Sequence, residues 1–254
     1  MIDAHAHLDD PRFRDDLGAV LARAAAAGVV RILSCGEDVA SSRRTLEIAA
    51  RHPLVRVAVG VHPHRSASWS TAVADELRVL AADARVVAIG EIGVDLSGRS
   101  APREAQERAF QAQLELAREL DLPVVVHVRD AGPLAREIVD RIPRTRGMIH
   151  SFSEGPAEVA GWVDRGFAVS FSGTVTYPKN AALRDAAAAA PAGWVLVETD
   201  APYLAPQSRR GARNEPAFVL DTLAAVAAAR AEPVEAVAAA MAGAAARLFG
   251  ARWA

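Results

Sequence analysis

The 254-residue chain has a single cysteine, Cys35, and a single lysine, Lys179. One cysteine cannot form an intramolecular disulfide, which is typical of proteins in a reducing cytoplasm. The N-terminus lacks a basic segment followed by an apolar run, and the apolar runs elsewhere are short and interrupted by charges. The sequence therefore predicts a cytoplasmic protein without a signal peptide or a membrane span.

The charge is nearly balanced, with 29 basic and 31 acidic side chains and a net charge of -2. This balance excludes a broad basic surface, so any phosphate would be handled by a local site. Hydrophobic residues make up 51% of the chain, which is enough for a large core and argues against disorder. The length suits one (β/α)8 barrel, and no linker interrupts it, so we predict a single domain over residues 1–254. No feature calls for an obligate protein partner.

Short β-branched runs alternate with longer, alanine-rich helical stretches. Strands are predicted at 2–7, 29–34, 55–61, 85–90, 123–128, 146–151, 167–171 and 194–199. Helices are predicted at 15–27, 38–51, 70–82, 102–121, 131–141, 156–164, 179–189, 215–230 and 233–249. Eight strands in regular alternation with helices predict a (β/α)8 TIM barrel. The alternative, a doubly wound open sheet, is not supported by a glycine-rich motif after the first strand. Residues 201–216 are predicted to form a loop over the barrel mouth.

Two histidines lie one residue apart in the first strand, in the stretch MIDAHAHLDD. Side chains two apart on a strand point to the same face, so His5 and His7 can converge on one ion from inside the barrel. Two polar residues at a barrel mouth would look the same, and the pair alone does not decide between these readings.

Further metal-ligand residue types fall at the ends of other strands, where barrel enzymes carry their chemistry. His127 ends PVVVHV and His150 lies in RGMIHSFS, while Glu91 follows VVAIG and Asp200 follows VLVET. Neutral imidazole is the commonest transition-metal ligand, and buried carboxylates are stabilised by cations. Four histidines and two carboxylates can hold two divalent ions, and a carboxylate can bridge them.

The sequence resembles the TatD family of metal-dependent hydrolases, within the amidohydrolase superfamily. The matching motifs are DAHAHLD, GVHPH, GEIGVD, PVVVHVRDA, HSFS, and ETDAPYL with RNEP, in the family's order over residues 3 to 216. The resemblance implies a TIM barrel that binds two divalent metal ions and degrades DNA from a 3′ end. It also implies metal ligands at His5, His7, Glu91, His127, His150 and Asp200.

The chain departs from the family at Leu96, Ser151 and Glu154, where tyrosine, cysteine and glycine are commoner. These departures leave every implied ligand in place but change the expected substrate pocket. Many amidohydrolases bridge their metals with a carboxylated lysine at a mid-barrel strand. Here the only lysine, Lys179, follows the seventh strand, so Glu91 is the better candidate for the bridge.

Four further residues are candidates for substrate contact. His62 and His64, in GVHPH, could contact the substrate or relay a proton, or they could be turn histidines beside a proline. Arg129 and Arg213 have the planar fork that suits phosphate oxygens, although either could be a solvated surface charge. Glu198 could orient a metal ligand or make an ordinary structural hydrogen bond.

These residues predict hydrolysis by a water that two metal ions activate, with Asp200 as the acceptor of its proton. The substrate implied first is a DNA phosphodiester. The alternatives are an ester or amide, such as a D-aminoacyl-tRNA ester, and a non-catalytic metal-binding protein. Imidazole ligands favour zinc or manganese, whereas magnesium prefers oxygen but is expected from the family.

Overall fold

The computed structural model describes residues 1–98 and 101–253 of the chain. In those residues one parallel sheet has its strands in sequence order, and its helices lie outside the sheet. The strands are β1 (Ile2–Ala6), β2 (Arg31–Cys35), β3 (Val55–Val59), β4 (Val86–Asp95), β5 (Val124–Arg129), β6 (Gly147–His150), β7 (Phe167–Phe171) and β8 (Val195–Val197). The helices are α1 (Leu17–Ala26), α2 (Val39–Arg51), α3 (Thr71–Ala81), α4 (Arg103–Glu119), α5 (Gly132–Arg141), α6 (Pro156–Val163), α7 (Ala181–Ala189), α8 (Val219–Arg230) and α9 (Val234–Phe249). The predicted TIM barrel is confirmed.

The barrel closes where the chain leaves β8 and runs beside β1. The backbone N–H of Asp200 donates a hydrogen bond to the carbonyl oxygen of His5 at 2.9 Å. Beside it, the buried carboxylate of Asp3 accepts hydrogen bonds from the backbone N–H and the hydroxyl of Thr199, at 2.8 and 2.6 Å. The first strand and the segment after the last are thereby held together next to His5.

Caps and apolar faces place the helices around the sheet. The Asp38 carboxylate accepts a hydrogen bond from the backbone N–H of Ser41 and begins α2, satisfying a donor that the first helical turn leaves unpaired. On α4, Phe110 and Leu114 are one turn apart and fully buried. Burying a side chain of this size typically contributes about 1.5–3 kcal/mol. The strands between these helices are covered on both faces, which explains their nearly continuous apolar sequences.

The fourth strand extends further than predicted, and this changes the environment of Glu91. The sequence predicts a strand at 85–90, whereas β4 continues to Asp95. Gly93 makes this possible, because its φ is 138° and a Cβ there would clash with the carbonyl oxygen of His127. A glycine therefore lets β4 run close beside β5, and Glu91 lies within the strand rather than after it.

In the part of the chain that the structure describes, one helical stretch, Val234–Trp253, is long and apolar enough to cross a membrane by length and composition alone. Val237, Met241 and Leu248 of this stretch are buried in the same core as the strands. The stretch therefore packs as an outer helix of the barrel.

Candidate metal centre

The first half of the site lies where β1 meets the segment after β8. Nε2 of His5 and Nε2 of His7 are 3.1 Å apart, as the alternation of side chains along β1 requires. Oε2 of Glu91 lies 3.4 Å from each of these nitrogens. Oδ1 of Asp200 lies 3.6 Å from the His5 nitrogen and 3.4 Å from that of His7. Four potential ligand atoms thus surround one point.

The second half of the site uses the other oxygen of the same Glu91. Its Oε1 lies 2.9 Å from Nδ1 of His127, which lies near the end of β5, and 3.0 Å from Nε2 of His150, which ends β6. These two nitrogens are 3.2 Å apart. Glu91 therefore stands between two groups of ligand atoms and offers one oxygen to each, which is the position of a bridging carboxylate.

Outward hydrogen bonds fix which nitrogen of the histidines faces Glu91. Nδ1 of His7 lies 3.2 Å from the carbonyl oxygen of Cys35, and Nδ1 of His150 lies 3.0 Å from Oε1 of Glu198. A carbonyl oxygen and a carboxylate can only accept, so in each neutral ring the proton is on Nδ1. The lone pair on Nε2 then points into the site, as it does in metal-binding histidines. Glu198 thus orients a candidate ligand.

Asp95 is a site residue that the sequence left unassigned. Its Oδ2 lies 3.4 Å from Nε2 of His127 and 3.0 Å from Nε2 of His64. Among the described residues Nε2 of His127 makes no hydrogen bond, so Asp95 contributes a nearby negative charge on this side of the ring, while Nδ1 faces Glu91. The sequence does contain a signal, because residues four apart on a strand share a face. With the strand predicted to end at residue 90, Glu91 and Asp95 were not placed on one strand.

These orientations fit divalent cations. Oε2 of Glu91 is buried and has no hydrogen-bond partner among the described residues. Its other oxygen faces Nε2 of His150, a ring whose proton Glu198 holds on the opposite nitrogen. Lone pairs that face a buried carboxylate repel it unless a positive charge lies between them. Imidazole and carboxylate together are a donor set suited to zinc or manganese.

The charges of the site shift the pKa values of its members. Burial alone would raise the pKa of Glu91, but the surrounding imidazoles, His150 first, hold it well below its ordinary value. Burial alone would lower the pKa of His7. The contact with Asp200 and the charge of Glu91 outweigh this effect and raise the pKa of His7 to about 9. Protons and metal ions therefore compete for the same nitrogen.

His62 also reaches the site, but its hydrogen bonding differs from that of the four candidate ligands. Its Nε2 lies 3.3 Å from Oε1 of Glu91, a distance that would admit it as a ligand. Its Nδ1, however, accepts a hydrogen bond from the backbone N–H of His64 at 3.1 Å. Burial lowers the pKa of His62 to about 4, so the ring is neutral and its one proton is on Nε2. His62 therefore presents a hydrogen-bond donor, where a ligand would present a lone pair.

The other predicted substrate residues differ in their surroundings. His64 is half-exposed and held by Asp95. Arg129 is exposed at the end of β5, and within the described residues its guanidinium has no hydrogen-bond or ion-pair partner. Arg213 is engaged, since it donates to both carboxylate oxygens of Asp16 at 2.8 and 2.7 Å and to the carbonyl oxygen of Arg12. The structure thus leaves Arg129 available to a ligand and uses Arg213 to join two loops.

The three residues that depart from the family motifs, Leu96, Ser151 and Glu154, each contact neighbouring residues in the fold. The carboxylate of Glu154 accepts hydrogen bonds from Arg136 at 3.0 Å. The hydroxyl of Ser151 lies 3.0 Å from that of Ser172, at the ends of two neighbouring strands. Leu96 packs against the hydrophobic core. The negative charge introduced at Glu154 is therefore compensated by Arg136.

Comparison of the sequence with protein families gives one match over nearly the whole chain. The model described as TatD related DNase matches residues 2–250. A protein of Salmonella typhimurium named 3'-5' ssDNA/RNA exonuclease TatD is 38% identical over 228 residues, which are 86% of this chain and 87% of that protein. A protein of Mycobacterium tuberculosis named uncharacterized metal-dependent hydrolase TatD is also 38% identical, over 85% of both chains.

Solved structures show the same likeness. The crystal structure of YjjV, a TatD homologue from Escherichia coli K12, superposes with a TM-score of 0.93 at 34% identity and covers 98% of this chain and 97% of its own. A TatD family hydrolase from Entamoeba histolytica superposes with a TM-score of 0.90 over 98% of both chains, and at 19% identity it shows the shared fold alone.

Proposed function

The chain belongs to the TatD-related DNase family, and on this premise we propose that it is a metal-dependent hydrolase that removes nucleotides from the 3′ end of single-stranded DNA or RNA. The observation that carries the proposal is the central position of Glu91, with one oxygen facing His5 and His7 and the other facing His127 and His150. Relatives that match most of the chain are named as exonucleases of single-stranded DNA and RNA, which supports this choice of substrate.

Two divalent ions are part of the proposal. His5, His7 and Asp200 would hold one ion, His127 and His150 would hold the other, and Glu91 would bridge them. When bound, such ions lower the pKa of a water molecule and neutralise charge on the phosphate oxygens. The imidazoles favour zinc or manganese, while magnesium remains a candidate from the family resemblance.

Asp200 is the carboxylate that would accept the proton of the attacking water. Its side chain is 11% exposed, whereas that of Glu91 is 2% exposed and faces imidazoles with both oxygens. Of these two carboxylates, Asp200 is therefore the more accessible to solvent. Burial would raise the pKa of Asp200, but the neighbouring histidines outweigh this effect and keep it below its ordinary value. The carboxylate is therefore ionised and able to take a proton.

His62 and Arg129 would contact the phosphate. The Nε2–H of His62 is directed into the site and would donate a hydrogen bond to a phosphate oxygen beside Glu91. A neutral ring with a single proton orients and polarises the phosphate and does not need to change charge. Arg129, on the strand that carries His127, offers a free guanidinium whose planar fork matches phosphate oxygens.

The proposal also covers the domain organisation, the cellular location and the protein partners of the chain. We propose that the chain acts as one domain without an obligate protein partner, because all six cluster residues come from one barrel. A cytoplasmic location is proposed from the single cysteine.

Hydrolysis of end-labelled oligonucleotides tests the proposal. Metal-reconstituted protein should shorten a single strand from its 3′ end, so a 5′ label gives a ladder of shorter products. Asp200→Asn should abolish the ladder, and metal content with circular dichroism on the same sample should separate this loss from unfolding. An aminoacyl-tRNA ester is tested in parallel. Cleavage of that ester, without any ladder, would replace the nuclease by a deacylase.

A further inference from the structure

The two tyrosines of the chain lie at the same end of the barrel as the metal centre, and each stacks with an arginine. Tyr203 follows β8, and the guanidinium carbon of Arg12 lies 4.2 Å from its ring centroid. Tyr177 follows β7, and Arg210 lies 4.8 Å from its ring centroid. We call Tyr203 with Arg12 the inner stack and Tyr177 with Arg210 the outer stack. The candidate ligands and the phosphate contacts described above use neither stack.

The inner stack is next to the metal centre, and hydrogen bonds anchor the backbone of Tyr203. The ring centroid of Tyr203 is 5.9 Å from that of His7. The backbone N–H of Tyr203 donates to the carbonyl oxygen of Asp200 at 2.7 Å, and its carbonyl oxygen accepts from Nδ2 of Asn214 at 2.6 Å. Nevertheless 42% of Tyr203 is exposed. A large aromatic side chain is thus presented to solvent beside the cluster, on a backbone that two hydrogen bonds hold in place.

The two stacks belong to one continuous surface. The hydroxyl of Tyr177 donates to the carbonyl oxygen of Ala205 at 2.8 Å. Ala205 is two positions beyond Tyr203, so their Cα atoms are at most about 7 Å apart. The backbone N–H of Gln207 donates to the hydroxyl of Thr176 at 2.7 Å and ties the two loops a second time. The outer stack therefore lies beside the loop that carries the inner stack.

The arginines of the two stacks differ in their pairing. Arg12 is neutralised by Asp10, which accepts from its Nε and Nη2 at 2.9 and 2.8 Å. For Arg210, no side-chain hydrogen bond or ion pair is present in residues 1–98 and 101–253, and its contact is the ring of Tyr177. Aromatic rings that stack bases, together with arginines for the backbone, are how proteins bind single strands without reading sequence.

Resting on the proposed exonuclease function, we propose that the inner and outer stacks form the path of the single strand from the metal centre. A base next to the scissile phosphate stacks on the inner stack, and the strand continues to the outer stack, where Arg210 meets a backbone phosphate. A paired base is already stacked within its duplex, so this path favours single-stranded ends over blunt duplex ends.

Abasic substitution tests the inner stack. A 5′-labelled single-stranded hexanucleotide is compared with versions that carry one abasic nucleotide at each position near the 3′ end. Stacking of a base on an aromatic side chain is typically worth about 5- to 150-fold. For wild type and for Tyr203→Phe, kcat/KM should fall by this factor when the abasic nucleotide stands at one particular position. Tyr203→Leu should be slower on the intact strand and show no further loss at that position.

Different results of this experiment test the inference and the proposed function. Digestion of the intact hexanucleotide by wild type tests the function. If wild type digests it but Tyr203→Leu keeps the abasic loss, or loses its bound metal, then Tyr203 only braces the loop and the inference is wrong.

Arg210→Gln gives an independent test of the outer stack. It should raise KM for the hexanucleotide but leave a dinucleotide unaffected. The matched control is Arg146→Gln, which alters an exposed arginine at the opposite end of the barrel. Equal effects of the two substitutions on the hexanucleotide would overturn the assignment of Arg210.

Discussion

Nδ1 of His150 lies 3.0 Å from Oε1 of Glu198, a residue 48 positions later in the chain. The same oxygen accepts a hydrogen bond from the backbone N–H of Ser151 at 2.8 Å, so the carboxylate is held from two sides. This pairing keeps the proton of His150 on Nδ1 and turns its other nitrogen toward Glu91. The orientation of a candidate metal ligand thus depends on a residue that does not itself face the ions.

Glu198→Gln should weaken metal binding about 10- to 100-fold, because an amide no longer enforces the tautomer of His150. The dissociation constant is measured by competition with a chelator, and circular dichroism checks the fold. Glu154→Gln is the matched control, since Glu154 is also a largely buried carboxylate but pairs with Arg136. Unchanged metal affinity in Glu198→Gln would contradict this role.

The variants His62→Gln and His127→Gln should show that His62 acts as a hydrogen-bond donor and His127 as a metal ligand. His62→Gln should keep full metal content but lose about 10- to 100-fold in kcat/KM, the usual effect of removing one hydrogen bond to a charged group. His127→Gln should lose metal as well as activity. Metal analysis of both purified variants decides the question, and metal loss in His62→Gln would make His62 a ligand.

Metal affinity should rise with pH from 7 to 9. The pKa of His7 is raised to about 9, so below that pH an incoming ion must displace a proton. The association constant should then increase by up to about tenfold per pH unit for each displaced proton. Calorimetric titration at pH 7 in two buffers of different ionisation enthalpy should detect at least one released proton. His62→Gln should leave this number unchanged, because the pKa of His62 is about 4.

Arg129→Ala and Arg213→Ala should have different effects. Arg129→Ala should lose about 10- to 100-fold in kcat/KM on oligonucleotides, because its guanidinium is free to bind phosphate. The slope of log affinity against log salt should become shallower by about 0.7, the value for one phosphate contact on a single strand. Arg213→Ala should leave hydrolysis near the wild-type rate and slightly lower the melting temperature, because Asp16 holds its guanidinium. Equal losses of hydrolysis in both variants would show that Arg213 also binds the strand.

The barrel, and the six residues that the structure brings together around Glu91, could be predicted from the sequence. Alternating strand and helix patterns need only local periodicity, and the parallel strands of such a barrel bring their carboxyl ends together. His5 and His7 share a face because side chains alternate along β1. His127, His150 and Asp200 then follow from their positions near strand ends, whereas Glu91, expected just after a strand, lies within β4. For these residues local pattern and topology are sufficient.

The roles of the residues around the cluster depend on contacts that exist only in the folded chain. The extension of β4 to Asp95 depends on the close approach of Gly93 to β5. Arg213, which the sequence offered to phosphate, is held by Asp16, a residue 197 positions away. Hydrogen-bond partners so distant in sequence leave no periodic pattern, and the direction of a lone pair or the availability of a guanidinium depends on those partners. The identity of the candidate ligands was therefore readable from the chain, whereas the protonation and pairing that define their chemistry became visible only in the folded structure.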